Sequence, residues 1–295
     1  MATRRRTLLV TGAAGMVGSY VRRTWVDYEL VLTDITEGST FLDVREGAAV
    51  KTAVDEIRPD AVLHLAAATD VDRCEQEPDW AYDANAIGTQ NVALACQARA
   101  IPLVYVSTGA VFPGDKAAPY TELDTPSPAN VYARCKRAGE QFVEALLERY
   151  YIVRAGWMFG GAGRDVKFVG KIARLIQGGR TRLEVVDDLV GSPTYAADLL
   201  AGIRRLMETD AYGVYHMANA GCCTRYESAL AIRDVLDRAD VEIVPVSSDH
   251  FPLPAPRRSE ALGSVKLEGL GLAMRPWREA LREYVLTELT APGPP

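Results

Sequence analysis

The chain has 295 residues, 48% of them hydrophobic and 24% charged, which is enough for a large core in one α/β unit or in a main domain with a smaller lobe. Lys and Arg number 33 against 39 Asp and Glu, a net charge of −6 that argues against nucleic acid as the main partner. No apolar run approaches the ~20 residues that span a bilayer, so no membrane partner is expected. The five cysteines, Cys74, Cys96, Cys135, Cys222 and Cys223, show no metal-ligand spacing. They read as reduced thiols of a cytoplasmic protein, with no metal site.

Arg4-Arg5-Arg6 reads as a solvated basic start rather than a signal peptide, because the apolar run after it ends at Thr11-Gly12. Strand-like and helix-like segments then alternate. Strands are expected at Thr7–Thr11, Leu30–Thr33, Ala61–Leu65, Leu103–Ser107 and Tyr151–Ala155. Helices are expected at Met16–Thr24, Gly47–Ile57 and Trp80–Ala98, and from Pro128 to about Tyr150 with Ser127 as N-cap. This order predicts a doubly wound parallel sheet of the Rossmann type with helices on both faces.

After Gly156 the order loosens. Helices are expected at Val166–Gln177, Tyr195–Glu208, Tyr226–Arg238 and Trp277–Leu289, and strands at Leu183–Val186 and Val214–Met217. We expect a smaller α/β substrate lobe, from about 158–187 and 213–295, interleaved with a dinucleotide-binding domain of 1–157 plus about 188–212. The Ala-Pro-Gly-Pro-Pro end reads as a frayed tail.

Gly12, Gly15 and Gly18 stand as G-x-x-G-x-x-G between the first strand and the first helix, with Met16 and Val17 inside the turn. Glycine there allows a tight turn, close approach of backbone to a pyrophosphate, and close helix–strand packing. Asp34, followed by Ile35, closes the second strand 22 residues after Gly12. An acid at that place hydrogen-bonds the adenosine ribose and repels a 2′-phosphate, which favours NAD(H) while leaving NADP(H) open. Asp43-Val44 follows, where the acid either accepts from the adenine amino group or caps the Gly47–Ile57 helix.

Tyr132 and Lys136 are one helical turn apart and so share a face. A lysine charge beside a phenol favours the phenolate and lowers its pKa, which suits proton transfer near neutral pH. Ser107-Thr108 ends a strand nearby in the fold, and the Thr108 hydroxyl could orient a reacting carbonyl. The adjacent acids Asp187 and Asp188 point in different directions on a strand and read as structural. His64 and His216 read as packed, hydrogen-bonded residues, and Trp277 as the anchor of the last helix.

With Thr11–Gly18, Leu65–Thr69, Asn85–Thr89, Ser107-Thr108, Asn130–Lys136, Ala138-Gly139-Glu140, Val186-Asp187-Asp188, Gly191–Thr194 and Tyr215-His216, the chain resembles the extended short-chain dehydrogenase/reductases. Within them it is most similar to the dTDP-4-dehydrorhamnose reductase family. The resemblance implies NAD(P)H-dependent reduction of a nucleotide-linked 4-keto-6-deoxysugar, dTDP-linked, in deoxysugar biosynthesis. It implies Thr108, Tyr132 and Lys136 as the catalytic set, with Lys136 also on the nicotinamide ribose. Leu65, Ala66 and Ala67 would pass under the cofactor, with Ser107 beside it and Asn85 bracing the neighbouring strand. Ala110, Trp157 and Phe168 would border the sugar nucleotide.

The chain departs from the family where Gly109-Ala110 replaces Asp-Tyr, where Ala68 replaces tyrosine, and where Lys167 replaces asparagine. Lys167 either adds a cation near a diphosphate or is a solvated helix lysine. Gly109-Ala110 cannot supply the acid–base pair of a 4,6-dehydratase. An NAD-retaining epimerase remains an alternative, as does a non-catalytic subunit like the accessory subunit of methionine adenosyltransferase. The surface helices leave room for a homodimer.

Overall fold

The computed structural model describes residues 4–290; the Pro-rich end, residues 291–295, lies outside them. Seven parallel strands make the central sheet. In chain order they are β1 (Thr7–Thr11), β2 (Glu29–Asp34), β3 (Thr40–Phe41), β4 (Ala61–His64), β5 (Leu103–Thr108), β6 (Tyr150–Ala155) and β7 (Gly213–His216). Their spatial order is β7-β6-β5-β4-β1-β2-β3. The winding reverses between β1 and β4, and a crevice opens there at the carboxyl ends of the strands.

The central strands are largely apolar because both their faces are covered, whereas the edge strand β3 is exposed. Leu8 and Val10 of β1 face one core cluster and Leu9 the other; Val104 and Val106 of β5 face the first, Leu103 and Tyr105 the second. This is the period-2 alternation of a sheet buried on both sides. Helices Gly47–Ile57, Gly88–Arg99 and Val131–Leu146 lie along the second face, and helix Ala196–Met207 lies on the first.

The second half adds small sheets. Arg182–Val186 pairs in parallel with Glu242–Val246, and Trp157–Phe159 with Pro193–Tyr195. Val190–Gly191 pairs antiparallel with Cys223–Thr224. Residues 213–216, grouped with the lobe from sequence, hydrogen-bond to β6 as the outermost strand of the central sheet. Its place is set by pairing with β6 and not by a pattern of its own.

Several helices differ from expectation, three of them beside the cavity. The helix expected at Met16–Thr24 is a 3₁₀ turn at Gly18–Tyr20 followed by Val21–Thr24, because residues 12–17 are consumed by the glycine turn. The helix expected from Pro128 begins at Val131 and ends at Leu146. Its N-cap is Asn130, whose side chain accepts from Ala133 N at 2.9 Å, while Ser127 N donates to Val111 O and keeps that stretch extended. The long helix expected from Trp80 contains a π turn at Asp83–Ile87, which turns Asn85 inward. Asp43 does not cap Gly47–Ile57: Glu46 holds that place, and Asp43 is paired with Arg45.

Helix Val131–Leu146 is pinned to the sheet by Glu140. Its carboxylate accepts two bonds from Arg154 of β6 (2.9 and 2.7 Å), one from Ser107 Oγ of β5 (2.6 Å) and one from Arg137 (2.8 Å). Burial pushes this carboxyl up, but the hydrogen bonds and charge of Arg154, with Ser107 and Arg137, bring it below its ordinary value. One residue earlier, a Cβ on Gly139 would stand 2.6 Å from Tyr105 Oη, so the helix can sit this close only with glycine there. Removing one member of a buried ion pair strands the other charges. Glu140→Ala is therefore expected to lower unfolding stability by roughly 3–5 kcal/mol in urea titration, and a loss under 1 kcal/mol would show that the pair does not hold the helix.

Candidate active site

One cavity of about 1060 Å³ runs along the carboxyl ends of the central strands into the second half of the chain. A volume on this scale suits an extended dinucleotide together with a second ligand. Its floor at one end is the glycine turn. Gly12 has φ +71°, and a Cβ there would stand 2.5 Å from Ala66 N; a Cβ on Gly18 would meet the Ala13 carbonyl. Those two glycines serve the close packing of the turn on the Leu65-Ala66 segment and on the helix. Gly15 differs: a Cβ would meet only its own turn, Gly12 O, at 3.3 Å, so its open side is the cavity. This is the cradle a pyrophosphate needs.

Met16, Val17, Asp34, Ile35, Asp43 and Val44 continue the same wall, and Leu65, Ala66 and Ala67 cross beside it. The Asp34 carboxylate is engaged locally. It accepts from Ala14 N at 2.9 Å and from Thr36 N and Oγ1 at 3.1 and 2.8 Å. Asp34 thus shapes the glycine turn as well as facing the cavity, and this weakens it as a selector between the two nicotinamide dinucleotides. Asn85 does not line the cavity. It brackets Ala68, accepting from its N at 2.8 Å and donating to its O at 3.0 Å, so it braces the segment that does.

Thr108, Tyr132 and Lys136 meet on the opposite wall, with Ala110 next to them. Thr108 Oγ1 accepts from Ala110 N at 3.1 Å, which aims the hydroxyl at the chamber. Tyr132 is shifted upward from its ordinary pKa by burial first and by the Glu260 charge second, against a hydrogen bond with Thr108 that lowers it. The expected lowering by Lys136 is absent from these influences. Lys136 Nζ is turned toward β5, donating to Val106 O at 2.8 Å and lying 4.2 Å from the centre of the Tyr105 ring. Burial lowers Lys136 to about 7, opposed by the charge of Glu140. Ser107 lines the chamber, but its hydroxyl is committed to Glu140.

The other end of the cavity is built by the second half. Trp157 lies across it, with Phe168 and Lys167 beyond. Lys167 Nζ donates to Thr69 O at 3.0 Å and to Thr69 Oγ1 at 3.3 Å, tying the lobe to the segment after β4. Lys167 is an exposed residue whose ammonium is engaged by Thr69 at the rim of the cavity. Two residues absent from the sequence reading complete this end. Arg225 stacks over Trp157 at 3.5 Å, and Glu260 accepts from Trp157 Nε1 at 2.5 Å. Nothing in the sequence marks either; they lie 68 and 103 residues from Trp157 and are joined to it only by folding.

The remaining sequence readings fall outside the cavity chemistry. Asp187 accepts from Thr224 Oγ1, and Asp188 accepts from Ser247 and Ser248, in separate places. His64 is buried between the hydroxyls of Thr11 (2.7 Å) and Thr89 (3.1 Å), and burial lowers it to about 3. Trp277 is buried at the start of the last helix.

A Rossmann-type sheet, a glycine turn at its switch point, and a Tyr-x-x-x-Lys helix facing that turn define an extended short-chain dehydrogenase/reductase. The sequence matches the family described as RmlD substrate binding domain over residues 6–290, and the chain belongs to that family. The dTDP-4-dehydrorhamnose reductase of Mycobacterium tuberculosis is 39% identical, covering 99% of this chain and 95% of its own. That of Streptomyces griseus is 38% identical over 93% and 91%. Among solved structures, the dTDP-4-dehydrorhamnose reductase of Bacillus anthracis in complex with NADP superposes with a TM-score of 0.90 at 37% identity, covering 96% and 99%.

The depressed Lys136 makes a stability prediction with a definite sign. Between about pH 7 and its ordinary value of 10.5, the unfolded chain holds a proton at Lys136 that the folded chain does not. Folding stability should therefore rise with pH across that window, by up to ~1.4 kcal/mol per pH unit. Lys136→Met should flatten this dependence in denaturant titrations at pH 7, 8 and 9; equal slopes in both proteins would show that Lys136 keeps its proton on folding.

Proposed function

We propose that the protein reduces the carbonyl of a nucleotide-linked 4-keto-6-deoxysugar, dTDP-linked, using a reduced nicotinamide dinucleotide. The observation that carries this reading is the meeting of Thr108, Tyr132 and Lys136 on one cavity wall, across from the glycine turn. Relatives that span the whole chain are named for this reduction. The residues present fit the cofactor, because Gly15 leaves an open cradle and Leu65-Ala66-Ala67 give a flat apolar crossing.

Residues 12–18, 34–35 and 43–44 would hold the adenosine and pyrophosphate, and Lys136 the nicotinamide ribose. The bound cofactor supplies the hydride. The protein's own work is to place and protonate the carbonyl. Thr108 Oγ1 donates to its oxygen and fixes its orientation. Tyr132 Oη then donates the proton to that oxygen as negative charge develops. Burial keeps the phenol protonated until that moment, which suits a general acid. Lys136, whose ammonium burial holds only weakly at neutral pH, would add positive charge to the cavity wall that carries Tyr132 when it is protonated. The part of the cavity built by Trp157, Lys167 and Phe168 holds the sugar nucleotide, and the second half of the chain serves as the substrate lobe.

We further propose that NADPH is used alongside NADH. The Asp34 carboxylate is satisfied by the loop rather than reserved for a ribose, and the B. anthracis relative carries NADP.

Purified protein should oxidise NADPH when given a nucleotide 4-keto-6-deoxysugar, with kcat/KM for NADPH and NADH within roughly tenfold of each other. Tyr132→Phe should lower kcat by roughly 10²–10⁴ while cofactor affinity, read by fluorescence titration, stays within about threefold. Absence of turnover with every such sugar would overturn the reading, and undiminished turnover in Tyr132→Phe would remove that residue from proton transfer.

A further inference from the structure

Glu260 is a half-buried acid lining the reaction chamber, and apart from the effect of its charge on Tyr132 the chemistry above gives it no role. It sits on the segment that runs past Val190, where Glu260 N donates to Val190 O at 2.8 Å. Its Oε1 accepts from the indole of Trp157 at 2.5 Å, and its side chain lines the same chamber as Thr108 and Tyr132. Among the described residues, Trp157 is the one side chain that hydrogen-bonds to it. A carboxylate has about four acceptor positions, so Oε2 retains capacity toward the chamber.

The charge environment is built to keep this acid usable. Burial pushes Glu260 up, while Arg225, the Trp157 hydrogen bond and Arg257 oppose that shift. Arg225 stacks on the face of the same indole whose edge binds Glu260, and lies 4.8 Å from the Phe168 ring centre. Trp157 therefore carries an acid on its edge and a cation on its face. With Arg225 and Arg257 already countering the acid, a second cation from a ligand is not required. The partner that fits is a neutral hydrogen-bond donor.

Room for Glu260 is made by Gly109. A Cβ on Gly109 would stand 3.2 Å from Glu260 O and 3.2 Å from the Leu262 side chain. The absence of a side chain at 109 lets the 260–262 segment close against the turn after β5.

We propose that Glu260, held by Trp157, is a substrate-specificity residue that accepts a hydrogen bond from the sugar hydroxyl next to the carbonyl being reduced. The proposal rests on the reduction of a nucleotide 4-ketosugar proposed above. A bound sugar would cover this half-buried acceptor, and a ligand that lacks the donor would leave it desolvated and unpaired.

The test compares a nucleotide 4-keto-6-deoxysugar with its 3-deoxy congener, in the wild type, Glu260→Ala and Glu260→Gln. Binding of the reduced product and of the free nucleoside diphosphate is measured in parallel by calorimetry. The wild type should prefer the hydroxylated substrate by roughly 10- to 100-fold in kcat/KM. Glu260→Ala should lose that preference, mostly by slowing the hydroxylated substrate, with affinity for the nucleoside diphosphate and for NADPH unchanged. Glu260→Gln keeps an acceptor and a similar shape, so it should retain part of the preference, and it guards against loss of folding in the alanine variant. Equal losses on both substrates, or no preference in the wild type, would overturn the role of Glu260 while leaving the reductase reading intact. Failure of the wild type to reduce or bind any nucleotide sugar would overturn both.

Discussion

The buried carboxylate of Glu140 is the junction on which the site depends. It joins helix Val131–Leu146 to β5 through Ser107 and to β6 through Arg154. That helix carries Tyr132 and Lys136; β5 ends in Thr108. The relative placement of the three residues is therefore set by one ion-pair cluster and by the close approach that Gly139 allows. Glu140 also acts on Lys136 electrostatically, sustaining the ammonium that burial opposes. Structural support and chemical tuning pass through the same group. Buried pairs of this kind contribute little net stability compared with apolar packing; their effect here is geometric.

The other end of the cavity works by a different means. Trp157 follows β6 directly and brings an aromatic plane to the chamber, but its partners come from three separate stretches of the second half. Lys167 ties the start of its helix to Thr69, so the lobe closes onto the segment after β4. The wall of the cavity carrying Thr108, Tyr132 and Lys136 is thus joined by a second one assembled from separate segments of the second half. Segments that connect strands tolerate variation more readily than the strands themselves.

The strands and most helices of the first half were legible because their patterns are local. Apolar runs of period 2, a glycine turn between strand and helix, and residues one helical turn apart each carry their geometry within a few positions. Misreadings arose where a local signal competed with a tertiary one. Ser127-Pro128 resembles a helix start, yet the backbone there is pulled extended by Val111, and Asn130 caps instead. Residues 213–216 lack a mark that would assign them to the central sheet rather than the lobe, since only β6 decides it. The proximity of Tyr132 and Lys136 was readable, but the direction in which the ammonium turns was not. Val106 O, 30 residues away, claims it.

By itself the sequence determined the class of fold, the glycine turn after the first strand and the Tyr132–Lys136 pair on one helix face, because each is written in short-range spacing and residue type. Tertiary structure alone decided how those groups are tuned. Burial raises the phenol and depresses the lysine, and burial is a property of the whole assembly. It also decided which residues build the far wall of the cavity. Arg225, Glu260 and Trp157 are far apart along the chain, and no periodicity links them. Only the packing of the lobe against the sheet brings their charges and their indole into one wall.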